Sequence, residues 1–290
     1  MNSMLHLLRR VFRGITWKHP LIHFVLRCLD PLDYLVRVIK GYRKIPRYSI
    51  RVRSTGIRDE FGGRQFSQAA VFFRDLLQTY AGLSPGSRVL EIGCGCGRAA
   101  VALSEYLNKG QYTGMDIEPV SIEACRRNTC LKKKSFRFDW MDVFSQEYNP
   151  GGKTEASVYR FPYPDSHFDV IFLTSVFTHM LQGDVANYIH EIGRMLKPGG
   201  RCLFTTFVMD YGQEGYGISF PFIYTDYCLF QKDFPEKAVG YFLKFLDREF
   251  ESGGLKRTME PILGPWRDVD VKIQYPKTDF AQDILVYEKT

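Results

Sequence analysis

One stretch of the sequence constrains the fold more than any other: a short apolar segment that runs into closely spaced glycines. The segment 89–92 is apolar except for Glu91, and three glycines at alternate positions follow it: Gly93, Gly95 and Gly97. Glycine adopts backbone conformations that other residues avoid, so the chain can turn sharply here and approach a ligand without a Cβ in the way. A helix that begins at Arg98 would then offer unpaired N–H groups to a carboxylate or a phosphate. The pattern predicts a strand, a ligand-binding turn and a helix.

The rest of the chain repeats this alternation of apolar and amphipathic segments. We expect strands at 88–92, 111–116, 135–139, 169–174, 201–207, 255–263 and 283–288, and helices at 68–80, 98–107, 121–128, 185–196 and 236–251. Apolar strands separated by amphipathic helices are typical of a parallel sheet with helices on both faces. The fold class predicted from the residues is therefore α/β.

A second acidic residue, Asp116, is expected at the end of the next strand. A carboxylate there can accept hydrogen bonds from both hydroxyls of a ribose, so the two strand ends indicate a cofactor that contains a nucleoside. A dinucleotide site has the pattern G-x-G-x-x-G, but Arg98 occupies the sixth position here. Glu91 would also place a negative charge beside the loop, which is unfavourable near a pyrophosphate and favourable near an ammonium or a sulfonium. The residues therefore favour S-adenosylmethionine over a nicotinamide dinucleotide.

Five motifs in a fixed order extend this pattern: Glu91-Ile92-Gly93-Cys94-Gly95-Cys96-Gly97, Met115-Asp116, Trp140-Met141-Asp142-Val143, Phe168-Asp169-Val170-Ile171 and Arg194-Met195-Leu196-Lys197-Pro198-Gly199-Gly200. Over residues 85–207 the chain resembles the class I S-adenosylmethionine-dependent methyltransferases, and it is most similar to bacterial members that act on small molecules and glycans. The resemblance implies a Rossmann-like, mostly parallel sheet of seven strands with an antiparallel last strand. It also implies S-adenosylmethionine as the cofactor.

The same resemblance implies roles for individual residues. Those expected beside the methionine part and the ribose of the cofactor are Glu91, Gly93, Gly95, Gly97 and Asp116. Those expected beside the adenine are Ile117, Asp142 and Val143. Asp139 lies three residues before Asp142 and is an alternative acceptor for the adenine amino group. Cys94 and Cys96 are interpreted as small loop side chains, because a reactive thiol needs a base or a cation beside it.

His179 is the candidate catalytic base, since it follows the fourth strand at the rim where the cofactor's methyl group is expected. The alternative interpretation is a histidine at a helix start whose ring is bonded to the backbone. The sequence lacks an Asn/Asp-Pro-Pro-aromatic motif after that strand and lacks a Pro-Cys pair, and no acid stands at 173–175 to hold a metal. We therefore expect no metal site, and methylation at oxygen or nitrogen of a small molecule, a lipid or a glycan.

The charge of the chain lies almost entirely in its N-terminal part. Residues 1–60 contain 13 Lys and Arg against 4 Asp and Glu, whereas the remainder contains 26 against 28. We predict a basic, amphipathic arm over 1–60, made of two or three short helices separated at Pro20 and Pro31, and a methyltransferase domain over 61–290. Within that domain the aromatic-rich segment 208–252 is expected to cover the cofactor and wall a pocket.

Three interpretations of the arm remain open. It can be a helical cap packed on the domain, a helix pair that lies on an anionic membrane surface through residues 1–40, or an organelle presequence. The arm also leaves RNA methylation as an alternative function, although its charges alternate with aliphatic residues and the body is almost neutral. A third function, cofactor binding without catalysis, conflicts with the intact glycine loop.

Localisation is expected to be cytoplasmic, and peripheral contact with the inner face of a membrane is the alternative that the arm leaves open. The seven cysteines show no pairing pattern typical of a disulfide framework. Arginines interrupt the apolar residues at the N-terminus, so we predict no secretory signal, and no apolar stretch is long enough to span a bilayer.

Overall fold

The computed structural model describes residues 20–55, 61–215, 218–267 and 282–290. The predicted helical segments before Pro20 lie outside these ranges. Seven α-helices are described there: α1 Pro20–Ile39, α2 Tyr48–Thr55, α3 Arg64–Tyr80, α4 Arg98–Tyr106, α5 Pro119–Arg127, α6 Gln182–Met195 and α7 Leu243–Ser252.

A mostly parallel sheet forms the centre of the molecule. Its parallel strands are β1 Arg88–Ile92, β2 Gln111–Asp116, β3 Phe136–Trp140, β4 Phe168–Leu173 and β5 Leu196–Val208, in the order β3-β2-β1-β4-β5. The later strands are β6 Glu214–Gly215, β7 Ile218–Ser219, β8 Phe222–Ile223, β9 Tyr227–Leu229, β10 Val239–Tyr241, β11 Leu255–Arg257 and β12 Asp283–Lys289. Strand β12 runs antiparallel to β5, and β11 pairs with β12. The predicted Rossmann-like sheet of seven strands with an antiparallel last strand is confirmed in β3-β2-β1-β4-β5-β12-β11.

Helices cover both faces of this sheet, as predicted. Successive side chains of a strand point to opposite faces, so Leu90 and Ile92 join one buried cluster and Val89 joins the other. The first cluster contains apolar residues of α6 and α7, and the second contains those of α3, α4 and α5. The carboxyl ends of the parallel strands therefore meet at one edge, where the loops after β1, β2 and β4 converge.

Three short strands extend the sheet beyond the predicted seven. Strand β10 pairs with the end of β5, where Gly240 lies opposite Phe207, and β9 and β8 follow it. The predicted helix at 236–251 is therefore wrong in its first half, and α7 begins at Leu243. Tyr241, inside the predicted helix, lies in a strand and donates its hydroxyl to the Met180 carbonyl at 2.6 Å. Glycine disfavours helix, and an added Cβ at Gly240 would meet Met209 at 2.4 Å, so this position suits a closely packed strand.

Helix α1 is continuous, so the predicted break at Pro31 is wrong. Pro31 lies inside the helix and is exposed, which lets water replace the hydrogen bond that proline cannot donate. The opposite face of α1 packs on α2 and Phe61 through Ile22 and Leu26. Helices α1 and α2 thus form a two-helix unit against the sheet domain, and Ile50 of α2 belongs to the same buried cluster as β1.

A buried ionic cluster holds this two-helix unit together. Asp33 of α1 and Arg51 of α2 are fully buried, and two hydrogen bonds of 3.0 and 3.1 Å join them. Arg37 and the Gly62 N–H also donate to Asp33, at 2.7 and 2.9 Å. Burial acts to raise the pKa of Asp33, but the bonds from Arg51, Gly62 and Arg37 outweigh it and hold that pKa below its ordinary value.

Candidate functional site

The glycine loop after β1 is fixed to the end of β2 by its backbone. The N–H groups of Gly93 and Cys94 both donate to the Met115 carbonyl, at 2.8 and 2.9 Å. All three loop glycines have positive φ, and Gly97 is the residue before α4. An added Cβ at Gly95 would lie 2.3 Å from the Ser54 hydroxyl oxygen, so both conformation and space require glycine there.

Asp116, the carboxylate predicted to bind a ribose, connects the two strand ends. Its oxygens accept the Gly95 N–H at 2.7 Å and the Glu118 N–H at 2.8 Å. Burial raises the pKa of Asp116 to about 6, with the Glu118 carboxylate adding to the rise and backbone N–H groups opposing it. An ionised carboxylate accepts about four hydrogen bonds, so capacity for ribose hydroxyls remains beside these backbone contacts.

Glu91 is the most deeply buried acid of the loop, with 3% of its surface exposed. The Tyr112 hydroxyl donates to it at 2.5 Å. Burial raises the pKa of Glu91 to about 8, although Tyr112 and Arg98 act against the rise. A buried carboxyl of this kind is stabilised in its charged form by a cation, and this chemistry fits the ammonium and sulfonium of S-adenosylmethionine.

Two residues of α2 belong to the site and were missed by the sequence analysis. The Cys96 N–H, in the glycine loop, donates to the Ser54 hydroxyl at 3.2 Å. The neighbouring Arg53 donates to the Glu118 carboxylate at 2.5 Å. Both contacts join positions more than 40 residues apart in the chain, and no local motif marks either side chain. Only the packing of the two-helix unit brings them to the loop.

The residues expected beside the adenine lie at the ends of β2 and β3. Ile117 is partly buried against the main core, and its carbonyl accepts the Trp140 indole N–H at 3.0 Å. Asp142 accepts the Lys153 N–H at 3.3 Å, whereas Asp139 accepts the Tyr163 hydroxyl at 2.7 Å and is paired with Arg137. These side-chain partners engage Asp139 and favour Asp142 as the acceptor for an adenine amino group. Val143 is buried in the core below this position.

Cys94 and Cys96 are both buried, in agreement with their interpretation as small loop side chains. Burial raises the pKa of the Cys94 thiol well above its ordinary value, with Cys125 beside it adding to the rise. A thiol held in its neutral form is a poor nucleophile. The loop therefore supplies backbone groups and space to a ligand rather than a reactive sulfur.

His179 lies at the carboxyl edge of the sheet, in the single turn Phe177–His179 after β4. This turn abuts the glycine loop, because an added Cβ at Gly93 would lie 2.4 Å from the Val176 side chain. The His179 Nδ1 is 2.9 Å from the Glu236 carbonyl oxygen. A carbonyl can only accept, so Nδ1 carries the proton and Nε2 is the basic nitrogen of the neutral ring. The ring of His179 is therefore bonded to the backbone through Nδ1, and this leaves the role of a base to Nε2. The two interpretations of His179 given by the sequence are compatible.

Tyr148 and Glu147 surround the His179 ring. The Tyr148 ring packs edge-on against it with 5.3 Å between centroids, and a Glu147 carboxylate oxygen lies 3.9 Å from Nδ1. Burial raises the pKa of the Tyr148 phenol, and the carboxylates of Glu147 and Asp116 add to the rise. The Tyr148 phenol therefore lies in the electrostatic field of both Glu147, beside the His179 ring, and Asp116, at the end of β2.

The aromatic-rich segment 208–252 contributes to this edge through Glu236, which has two roles. Its carbonyl accepts from His179, and its carboxylate accepts the Ser145 hydroxyl and the Gln146 N–H, each at 2.9 Å. Many aromatic rings of the segment are core, since Phe220, Tyr241, Phe245 and Phe250 are buried. Within the described ranges no group of three or more His, Cys, Asp and Glu has the arrangement of a metal site.

Comparisons with known proteins agree with this geometry. Residues 90–204 match the family model described as a methyltransferase domain. The fatty-acid O-methyltransferase of Mycolicibacterium smegmatis is 29% identical over 41% of this chain and 37% of its own length. The 27-O-demethylrifamycin SV methyltransferase of Amycolatopsis mediterranei is 30% identical over 49% of this chain and 46% of its own length. The chain thus spans less than half the length of these curated relatives.

Solved structures resemble the chain over a larger part of its length. The PH0226 protein of Pyrococcus horikoshii superposes with a TM-score of 0.55 at 13% identity, covering 83% of this chain and 98% of that one. An S-adenosylmethionine-dependent methyltransferase of Mesorhizobium loti has a TM-score of 0.51 at 14% identity, covering 77% and 100%. At such identities the likeness establishes the fold.

Proposed function

Residues 90–204 belong to the class I S-adenosylmethionine-dependent methyltransferases, and from this premise we propose that the chain methylates an oxygen or nitrogen of a small molecule or lipid. The observation that carries the proposal is the contact between the His179 turn and the glycine loop through Val176 and Gly93. It supports the proposal because the His179 ring would then lie at the same sheet edge as the loop and Asp116. The proposed sites for cofactor and base would therefore be adjacent.

S-adenosylmethionine, when bound, supplies an electrophilic methyl group on its sulfonium. Glu91 would stabilise the positive end of the cofactor, Asp116 would hold the ribose hydroxyls, and Asp142 would accept from the adenine amino group. The remaining proposed contacts, to backbone and apolar surface, are those of Gly93, Gly95, Gly97, Ile117 and Val143. In this arrangement the protein contributes alignment of the two reactants, which is the main requirement of an in-line displacement.

His179 is proposed as the general base. Its Nε2 would take the proton of the acceptor's hydroxyl or amino group, while the Glu236 carbonyl keeps the other ring proton on Nδ1. The imidazolium formed in this step would be stabilised by the Glu147 carboxylate, 3.9 Å from Nδ1. Transfer at oxygen is preferred in this proposal, because one relative is named a fatty-acid O-methyltransferase and another is named for an O-demethylated substrate, 27-O-demethylrifamycin SV.

The proposed acceptor is apolar rather than a nucleic acid. Among the relatives are enzymes named for a fatty acid and for phthiotriol dimycocerosates, the latter from Mycobacterium ulcerans at 29% identity over 41% of this chain. The sheet domain is also nearly neutral, with 26 basic and 28 acidic residues after residue 60, and this speaks against a long phosphate backbone as substrate. An acceptor of this class would be met at a membrane, so we propose peripheral contact with its inner face.

The proposal is tested by turnover of a panel of hydroxylated lipids and soluble alcohols, with calorimetry of S-adenosylmethionine binding alongside. His179→Ala should lower turnover about 10²–10⁴-fold and leave cofactor affinity unchanged. His190→Ala is the matched control, because that histidine lies half-exposed on α6, away from the sheet edge that carries the loop. Equal turnover in the His179 and His190 variants would contradict the role of His179, and absence of cofactor binding would contradict the proposed function.

A further inference from the structure

The outer face of α1 is apolar along its whole described length. Phe24 is 65% exposed, Leu35 57% and Ile39 85%. Cys28 and Pro31 are exposed as well. These five residues follow each other at intervals of three or four positions, and this spacing keeps side chains on one side of a helix. We call this surface, made of Phe24, Cys28, Pro31, Leu35 and Ile39, the outer face of α1.

Negative charge is absent from the outer face of α1. The acidic residues of the helix, Asp30 and Asp33, point toward α2, where Asp30 accepts the Ser49 hydroxyl at 2.7 Å and Asp33 joins the buried ionic cluster. Exposed basic residues lie beside or just after the outer face, namely Arg27 and Arg43. The surface therefore combines exposed apolar side chains with flanking positive charge, which is typical of helices that lie in an anionic membrane interface.

We propose that the outer face of α1 docks on the surface of an anionic lipid bilayer. Phe24, Leu35 and Ile39 would enter the interface between head groups and acyl chains, and the flanking basic residues would pair with anionic head groups. The docking surface itself follows from α1 alone, whereas its purpose, delivery of the enzyme to a lipid acceptor, rests on the proposed function.

Charge decides between a bilayer and the other possible occupants of this surface. Residues 1–19 contain Arg9, Arg10, Arg13 and Lys18 and no acidic residue, so packing them on the outer face would bring like charges together. A second copy of the chain, packed through its own α1, would likewise bring basic residues of the two copies together. An anionic bilayer instead offers an apolar layer and negative charge together, in the arrangement that the outer face requires.

Docking would place the cofactor loop close to the bilayer. Helix α2 packs directly beneath α1, and packed helices are separated by about 8–10 Å between axes. The same α2 accepts the Cys96 N–H through Ser54 and bonds Glu118 through Arg53. The Asp33–Arg51 pair ties the two helices together, so the surface that meets the lipid and the residues that contact the loop belong to one unit.

The test is co-sedimentation of the full chain with phosphatidylcholine vesicles, with and without phosphatidylglycerol. The chain should bind the anionic vesicles and lose binding as salt rises. Leu35→Glu/Ile39→Glu should reduce the bound fraction at least tenfold. Val71→Glu/Val158→Glu is the matched control, because it replaces two exposed apolar residues outside α1 with the same charge, and it should bind as the wild type does. Equal loss in both variants would overturn the proposal.

A second variant, Leu35→Gln/Ile39→Gln, separates apolar insertion from charge and should also lose binding. Wild-type binding by this variant would overturn the proposal, as would loss of binding only when residues 1–19 are removed. A dimer in gel filtration that the glutamine variant dissociates would identify a second copy as the occupant instead. Cofactor affinity and turnover of a soluble acceptor should remain unchanged in all these variants. Vesicle binding by a chain without methyltransferase activity would contradict the proposed function and leave the docking surface intact.

Discussion

The glycine loop is contacted from two regions of the molecule that the chain encodes in different ways. Glu91, the loop and Asp116 come from consecutive strand ends of the sheet domain. Ser54 and Arg53 reach the same place from the two-helix unit of α1 and α2. The first region is built by local sequence, since a strand end and the turn after it fix each side chain. The second depends on how two helices pack, so a single substitution far from the loop can displace it.

Substitutions of buried groups should therefore affect the stability of the two regions in different ways. The two-helix unit depends on one ionic cluster, and the sheet domain on the apolar layers at either side of the strands. Substitutions in each region can separate its contribution to stability from its contribution to the cofactor site.

Arg51→Leu should lower the free energy of unfolding by about 3–5 kcal/mol, because it leaves the buried Asp33 without its principal partner. Chemical denaturation monitored by circular dichroism measures this change. Arg47→Leu is the control, since Arg47 is exposed and lies 3.6 Å from Asp30, and a pair of that kind contributes about 1 kcal/mol or less. If the two variants lose equal stability, the ionic cluster does not hold the two-helix unit.

Glu91→Gln should stabilise the chain increasingly as the pH rises. The pKa of Glu91 is raised from 4.5 to about 8 in the folded state, so the folded chain holds a proton that the unfolded chain releases in this window. The wild type therefore loses stability from about pH 4.5 to 8, by at most about 1.4 kcal/mol for each pH unit, and the glutamine variant lacks this loss. Denaturation at pH 5, 6.5 and 8 measures the difference in the free energy of unfolding between the variant and the wild type. A difference that becomes smaller toward high pH would contradict the prediction.

Asp116→Asn should weaken S-adenosylmethionine binding by about 1–3 kcal/mol, because charge-assisted hydrogen bonds to the ribose are lost. The pKa of Asp116 is about 6 in the structure, so wild-type affinity should be retained above that pH and fall below it, whereas the variant should respond less to pH. Calorimetry between pH 5 and 8 measures both effects. Asp169→Asn is the control, because Asp169 accepts the Arg88 N–H at the amino end of the strands. Unchanged affinity in the Asp116 variant would contradict its assignment.

Sequence patterns predicted the sheet domain well because its features are periodic or local. Glu91 and Asp116 lie at the ends of short apolar segments, and the loop glycines follow Glu91 within six residues of the chain. The pattern failed at Tyr241, where an apolar segment compatible with helix pairs instead with the end of β5. It also failed at Pro31, because exposure on the outer face of α1 makes a proline tolerable inside a helix.

The missed parts of the site are contacts that leave no residue signature. The Glu236 carbonyl that binds His179 is a backbone group, which any residue would supply. The Ser54 hydroxyl depends on packing between regions more than 40 residues apart in the chain. The division of the chain at residue 60 remains a prediction, although α2 shares a buried cluster with β1 and contacts the loop.

The smallest predicted effect distinguishes the two regions most directly. Ser54→Ala removes the acceptor for the Cys96 N–H, and a single neutral hydrogen bond contributes about 0.5–1.5 kcal/mol, so cofactor affinity should fall by about two- to tenfold. Ser252→Ala, an exposed serine at the end of α7 that bonds the Glu249 carbonyl, is the matched control and should leave affinity unchanged. Titration calorimetry with the demethylated cofactor measures both variants without turnover. A Ser54 variant with wild-type affinity would mean that α2 covers the loop without contributing to it, and the cofactor site would then belong to the sheet domain alone.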